Sequence, residues 1–170
     1  MQAANLEVTP DGAWLLFNAS HNGDRATWKM PVEGGTPSVV AQRLDRAVPS
    51  PDGRYVAGLW RESVQATLEL AVLPIDGGAP VHRFPSNEST TYTNSGVGNV
   101  RWEPDGRGLY VTTTERTDVW FQPLDGGPLK RVTNFREGGI FGFSLSPDGQ
   151  SLVAARGPNL RDAFLITGFR

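Results

Sequence analysis

Short stretches rich in β-branched and aromatic residues recur along the chain, each bounded by turn residues. Trp14-Leu15-Leu16-Phe17, Tyr55-Val56-Ala57-Gly58-Leu59-Trp60, Leu109-Tyr110-Val111-Thr112-Thr113 and Ser151-Leu152-Val153-Ala154-Ala155 read as strands. A second set reads the same way: Ala26-Thr27-Trp28-Lys29-Met30, Leu68-Glu69-Leu70-Ala71-Val72-Leu73 and Asp118-Val119-Trp120-Phe121-Gln122-Pro123-Leu124. No segment has the spacing of a convincing amphipathic helix, so the pattern predicts an all-β chain.

The punctuation between the strands repeats. Pro-Asp-Gly occurs at Pro10-Asp11-Gly12, Pro51-Asp52-Gly53, Pro104-Asp105-Gly106 and Pro147-Asp148-Gly149, with the Asp residues 41, 53 and 43 positions apart. A Gly-Gly motif follows the first three at Gly34-Gly35, Gly77-Gly78 and Gly126-Gly127. Proline presets the first central φ of a turn, Asp bonds to nearby amides, and Gly accepts positive φ, so Asp11, Gly12, Asp52, Gly53, Asp105, Gly106, Asp148, Gly149, Gly35, Gly78 and Gly127 are assigned to structural hairpin turns. Each repeat then holds a strand on either side of Pro-Asp-Gly, a third before Gly-Gly, and a short fourth such as Val81-His82-Arg83-Phe84 or Lys130-Arg131-Val132-Thr133. Four antiparallel strands per period of this size make the blade of a β-propeller, whose rings hold typically about 4 to 8 blades. A β-sandwich would not need the same two turns in fixed alternation.

The expectation is therefore a single partial β-propeller domain over 1–170, with blades near 5–41, 46–84, 98–133 and 140–168, the last with three strands. An open arc exposes apolar blade faces, which predicts that further blades are missing or that the chain self-associates. The alternative is a closed four-bladed ring with Met1 to Asn5 as its outer strand.

Composition narrows the function. At 38% hydrophobic and 20% charged residues the chain can build a core. Lys and Arg number 16 against 18 Asp and Glu, so no global field recruits nucleic acid. Cys 0 excludes disulfides and thiolate nucleophiles. No apolar run reaches the roughly 20 residues of a membrane helix, and MQAANLEVTPDG lacks the regions of a secretory signal; localisation stays open. There is no Gly-x-Ser-x-Gly elbow, His-Glu-x-x-His, phosphate loop or kinase signature, and His21 and His82 stand in different repeats. No catalytic, metal or cofactor residues are assigned.

Binding candidates lie at one end. Because antiparallel strands alternate in direction, both turn motifs share one end of every blade and the remaining loops share the other. Arginine recurs in those loops: Arg43, Arg46, Arg61, Arg116, Arg136 and Arg161, with Tyr92 in an insert spanning Pro85 to Gly98. Arginine forks at a channel mouth can hold carboxylate or phosphate, and long polar loops on rigid scaffolds carry recognition. The competing reading is solvated pairing with the Asp and Glu interleaved among them. The acidic turn end is assigned to turn chemistry, since one carboxylate per turn falls short of a calcium shell, and the five Trp residues to blade packing. The partner class is a protein or small ligand at the loop face.

The strings AVPSPDGRYVAGLW, VRWEPDGRGLYVTTTERTDVWFQPLDGGPLKRVTNF and FSLSPDGQSLVAARG resemble the tryptophan-aspartate-like propeller repeats of TolB proteins, and the likeness runs through the whole chain. The final stretch, from GGPLKRVTNF to the end, is similar to the carboxyl terminus of propellers fused to bacterial serine/threonine kinases or to winged-helix regulators. Thr9 and Glu103 stand where the family usually has Ser before Pro-Asp-Gly, and Leu145 where it has an aromatic; no functional residue is carried over. The resemblance implies a non-catalytic sensor or interaction propeller of a larger signalling protein. The alternatives are the gate domain of a prolyl-oligopeptidase-like peptidase and a periplasmic TolB-like interaction protein.

Overall fold

The computed structural model describes residues 3–21, 23–86, 100–113, 115 and 117–158, with only the backbone of His21. Within these residues every regular element is a strand. The first sheet runs in sequential order through β1 (Ala4–Val8), β2 (Trp14–His21), β3 (Asp24–Pro31) and β4 (Ser38–Gln42). The second holds β5 (Leu44–Pro49), β6 (Tyr55–Trp60), β7 (Glu69–Pro74) and β8 (His82–Phe84), and the third β9 (Val100–Trp102), β10 (Gly108–Thr112), β11 (Val119–Pro123) and β12 (Lys130–Arg131). β13 (Gly139–Leu145) and β14 (Leu152–Gly157) form a two-stranded fourth sheet. The third strand expected over 163–166 lies outside the described residues, as does most of the insert before β9.

The turns close as their chemistry dictates. In the first, second and fourth repeats a hydroxyl from Thr9, Ser50 or Ser146 donates to the Asp two residues on. The same carboxylate accepts the amide two residues further, from Ala13, Arg54 or Gln150. Gly12, Gly53, Gly106 and Gly149 sit at φ 71, 70, 77 and 69°, a region open to glycine without steric cost. Glu103 has no hydroxyl to give, and there Arg107 supplies the second bond to Asp105 through its side chain. In the third Gly-Gly turn Gly126 takes the positive φ of 85°, while the first two place both glycines there.

A four-stranded sheet of this kind is apolar on both faces and cannot bury either alone. Counting from each turn Asp shows how the faces are matched. The residue five positions after it points to the following blade, and the residue five before it to the preceding one. Leu16 and Ala47 meet in the first core cluster, Ala57 and Val100 in the second, and Tyr110 and Phe143 in the third. Each core therefore lies between two sheets, and the sheets stack as the blades of a propeller arc. The same two positions at the ends of the arc, Leu6 and Val153, are 61% and 73% exposed.

Leu16→Ala should therefore cost about 2–5 kcal/mol, while Leu6→Ala should stay within about 0.5 kcal/mol of the parent, both read from urea unfolding midpoints.

Candidate functional site

At the loop end of the first two blades a buried polar network sits inside an otherwise apolar interface. Asn18 donates to the carbonyls of Ala26 (3.3 Å) and Leu44 (3.0 Å) and to the Thr27 hydroxyl (3.0 Å). Its side-chain oxygen accepts from Asn5 Nδ2 and from the backbone amide of Arg46 at 3.0 Å. Asp45, also buried, accepts from Asn5, from the Arg46 amide and, through both oxygens, from Arg25 Nη1 at 3.0 and 3.1 Å. Buried polar groups carry a heavy desolvation cost unless bonded, so the set is stable only because its members satisfy one another.

This network fixes an unusual backbone. Asn5 and Arg46 occupy the same place, six residues before the turn Asp, and each sits at a register shift of the first strand with φ of 53° and 56°. Arg43, the one-residue link between β4 and β5, also has φ 56°. Non-glycine residues are uncommon in this region, and a bulge turns the side chain away from its strand neighbours. Here the outcome is an arginine that lines a pocket between the first strands of the blades. β5 packs against both β1 and β9. Where the three strands meet, a pocket of about 80 Å³ is lined by Asn5 and Glu7, Arg46 and Val48, and Val100 and Arg101.

Several arginines foreseen from the sequence come together here. The Arg43 amide donates to the Arg25 carbonyl at 2.7 Å, and the Arg61 amide to the Arg43 carbonyl at 3.3 Å, which sets Arg25, Arg43 and Arg61 in a row across the loop end. Arg43 Nη1 reaches Asp24 at 3.3 Å, while its Nε is buried with no hydrogen-bond partner among the described residues. Arg61 Nη1 donates to Val64 O within its own loop at 3.2 Å. Arg136 is exposed in the link between β12 and β13. Tyr92, Arg116 and Arg161 lie outside the described residues. Sequence reasoning missed Arg101 as a member of the face. Arg101 stands 3.7 Å from Glu7 across two blades, and its place four residues before the turn Asp was the available signal.

A second polar anchor holds the loop end of the third blade. Burial pushes the Asp118 carboxyl up, but bonds from the Phe135 amide, Arg131 and Thr133 outweigh it and leave the group below its ordinary value of 3.8. Glu103 at the other end shifts up, through burial and then the neighbouring Asp105. Among the described residues no group of three or more metal-ligating side chains gathers.

No protein-family model matches the chain, and no curated protein sequence does. Solved structures match well. TolB from Acinetobacter baumannii superposes with a TM-score of 0.74 over 93% of this chain at 18% identity, and a protein assigned as TolB from Agrobacterium tumefaciens with 0.72 over 94% at 24%. The chain spans 38% and 57% of the lengths of those two proteins. A nidogen/laminin complex shares the fold at a TM-score of 0.62 over 91% of this chain and 56% of that one, with 15% identity. Stacked four-stranded sheets joined by recurring turns, and shared with these structures, define an all-β propeller. Within that class the fold is TolB-like.

Because Asp118 is held ionised in the folded state, its contribution is full above the ordinary carboxylate range and is lost as pH falls through the lowered folded value. Asp118→Asn should cost about 1.5–3 kcal/mol at pH 7, and the gap to the parent should narrow below pH 4 in urea titrations at the two pH values.

Proposed function

We propose that this chain is a non-catalytic binding propeller whose concave loop-end face receives an anionic group, a carboxylate or phosphate, of a protein partner or small ligand. The observation that carries the reading is Arg46. A buried network of Asn18, Asp45 and Arg25 holds this arginine in a left-handed conformation that glycine would adopt at lower cost. Strained residues that the surroundings over-determine cluster at binding sites. Arg101 adds a second guanidinium to the same pocket, and Arg43 and Arg61 extend the positive row along the rim. Arg46 and Arg101 line the pocket itself, with Glu7 3.7 Å from Arg101, while Arg43 and Arg25 pair with Asp24 and Asp45 outside it.

A protein of similar fold occurs in a nidogen/laminin complex, which supports a protein partner for this chain. The likeness of the final stretch to kinase-fused propellers supports a place as the sensing part of a bacterial signalling protein, where occupancy of the face biases an effector domain. The TolB-like fold favours a second reading, an interaction protein that works through the same face without an effector.

Replacing Arg46 by Gly separates function from stability. Arg46→Gly should leave the unfolding free energy unchanged or raise it by up to about 1 kcal/mol, yet weaken binding of a fluorescent hexaglutamate peptide or of inorganic phosphate at least about tenfold. Arg101→Ala should weaken the same probes without the gain in stability. Unchanged affinity in both variants removes the arginine face from the reading.

A further inference from the structure

The opposite end of the blades carries a second concave feature, independent of the arginine face. A cleft of about 240 Å³ opens between the second and third blades, lined by Tyr55, Val72 and His82 on one side and Trp102 and Leu124 on the other, with Asp52 and Asp105 also in its wall. The repeat explains why it lies here and what would fit. The residue that faces the next blade five positions after each turn Asp pairs across the sheet with a residue of the third strand: Leu16 with Lys29, Ala57 with Val72, and Tyr110 with Phe121. These three partners occupy one and the same place in successive inter-blade gaps.

Two of the gaps are filled from within. In the third blade the Phe121 ring covers Gly108 so closely that a Cβ there would meet the ring at 2.2 Å. In the first blade the Lys29 side chain is only 12% exposed. Its ammonium stands 4.7 Å from the centroid of the Trp14 ring and pairs with Asp76 of the next blade. The middle gap has Val72 at this place, a short side chain 1% exposed in the wall of the cleft. It keeps the aromatic, since Tyr55 stands where Trp14 does, three residues after the turn Asp. Its wall also holds acid groups, Asp52 and Asp105 of the Pro-Asp-Gly turns in place of a Gly-Gly-turn acid such as the Asp76 that Lys29 meets. What it lacks is a long cationic side chain from the third strand.

We infer that the cleft between the second and third blades binds the side chain of a lysine presented by a protein partner, with its stem against Trp102 and Leu124 and its ammonium at the Tyr55 ring and the Asp52 and Asp105 carboxylates. The chain's own Lys29 is the template for this pose. Cation–π attraction and a partly desolvated ion pair supply the selectivity for an ammonium over an apolar tip. Both carboxylates are held ionised, Asp52 by the Ser50 hydroxyl and Asp105 by Arg107. The Arg54 guanidinium stands 5.7 Å from the Tyr55 centroid, so a bound ammonium shares the ring with it.

The test is a titration of the whole chain with the capped pentapeptide Gly-Gly-Lys-Gly-Gly, followed by the amide spectrum and by the indole resonance of Trp102. Saturable shifts centred on Val72, Tyr55 and Trp102 are expected, with at least tenfold weaker effects from the norleucine and acetyl-lysine versions of the peptide. Val72→Lys, which places a lysine at this buried position, should lose peptide binding at least tenfold, and a thermal melt checks that it folds. Should that variant be unstable, Tyr55→Leu gives the same readout with an expected loss of several-fold. The inference is overturned by no saturable shift at millimolar peptide, by equal binding of the norleucine peptide, or by undiminished binding to well-folded Val72→Lys. Free 1,5-diaminopentane binding as tightly as the peptide would also overturn it, by showing a small-amine site in place of a partner's lysine.

Discussion

The structure depends on one constraint: a four-stranded antiparallel sheet with two apolar faces is stable only between two neighbours. Each blade meets this through a fixed pair of positions, five residues to either side of the turn Asp, that place Leu16 on Ala47, Ala57 on Val100 and Tyr110 on Phe143 in shared cores. The turn is therefore more than a connector. It sets the register of the two strands that flank it, and a slip of one residue would send each of these side chains to the wrong blade. Repeat stacking of this type distributes stability over nearest-neighbour interfaces.

The two ends of the blades use that scaffold differently. At the turn end the same hydrogen bonds recur with little change, and variation enters through what fills each gap: Lys29, Val72 or Phe121. At the loop end the links differ from blade to blade, and buried polar residues take over the work of holding them. Asn18 and Asp45 do so between the first two blades and Asp118 in the third. A rigid stack with one uniform and one variable end lets recognition evolve without disturbing the core.

Much of the fold was legible because it rests on local chemistry. Pro-Asp-Gly and Gly-Gly declare their turns within three residues, and the spacing of the turns declares the blade. The candidate site was legible only in part. Arg43, Arg46 and Arg61 stood out as arginines in loops, but nothing local shows that Arg46 lies on a bulge, since its φ is enforced by Asn18, 28 residues away. Asn18, Thr27 and Asp45 read as ordinary polar strand or loop residues, and their burial is decided by the neighbouring blade. The cleft is likewise a difference between blades, visible only once Lys29, Val72 and Phe121 are known to be equivalent.

A double-mutant cycle on Tyr110 and Phe143 tests the central claim most directly, because these aromatics come from different blades and meet only if the register holds. The account predicts a coupling of about 0.5–1.5 kcal/mol between Tyr110→Ala and Phe143→Ala in urea unfolding. Strict additivity of the two changes would contradict it.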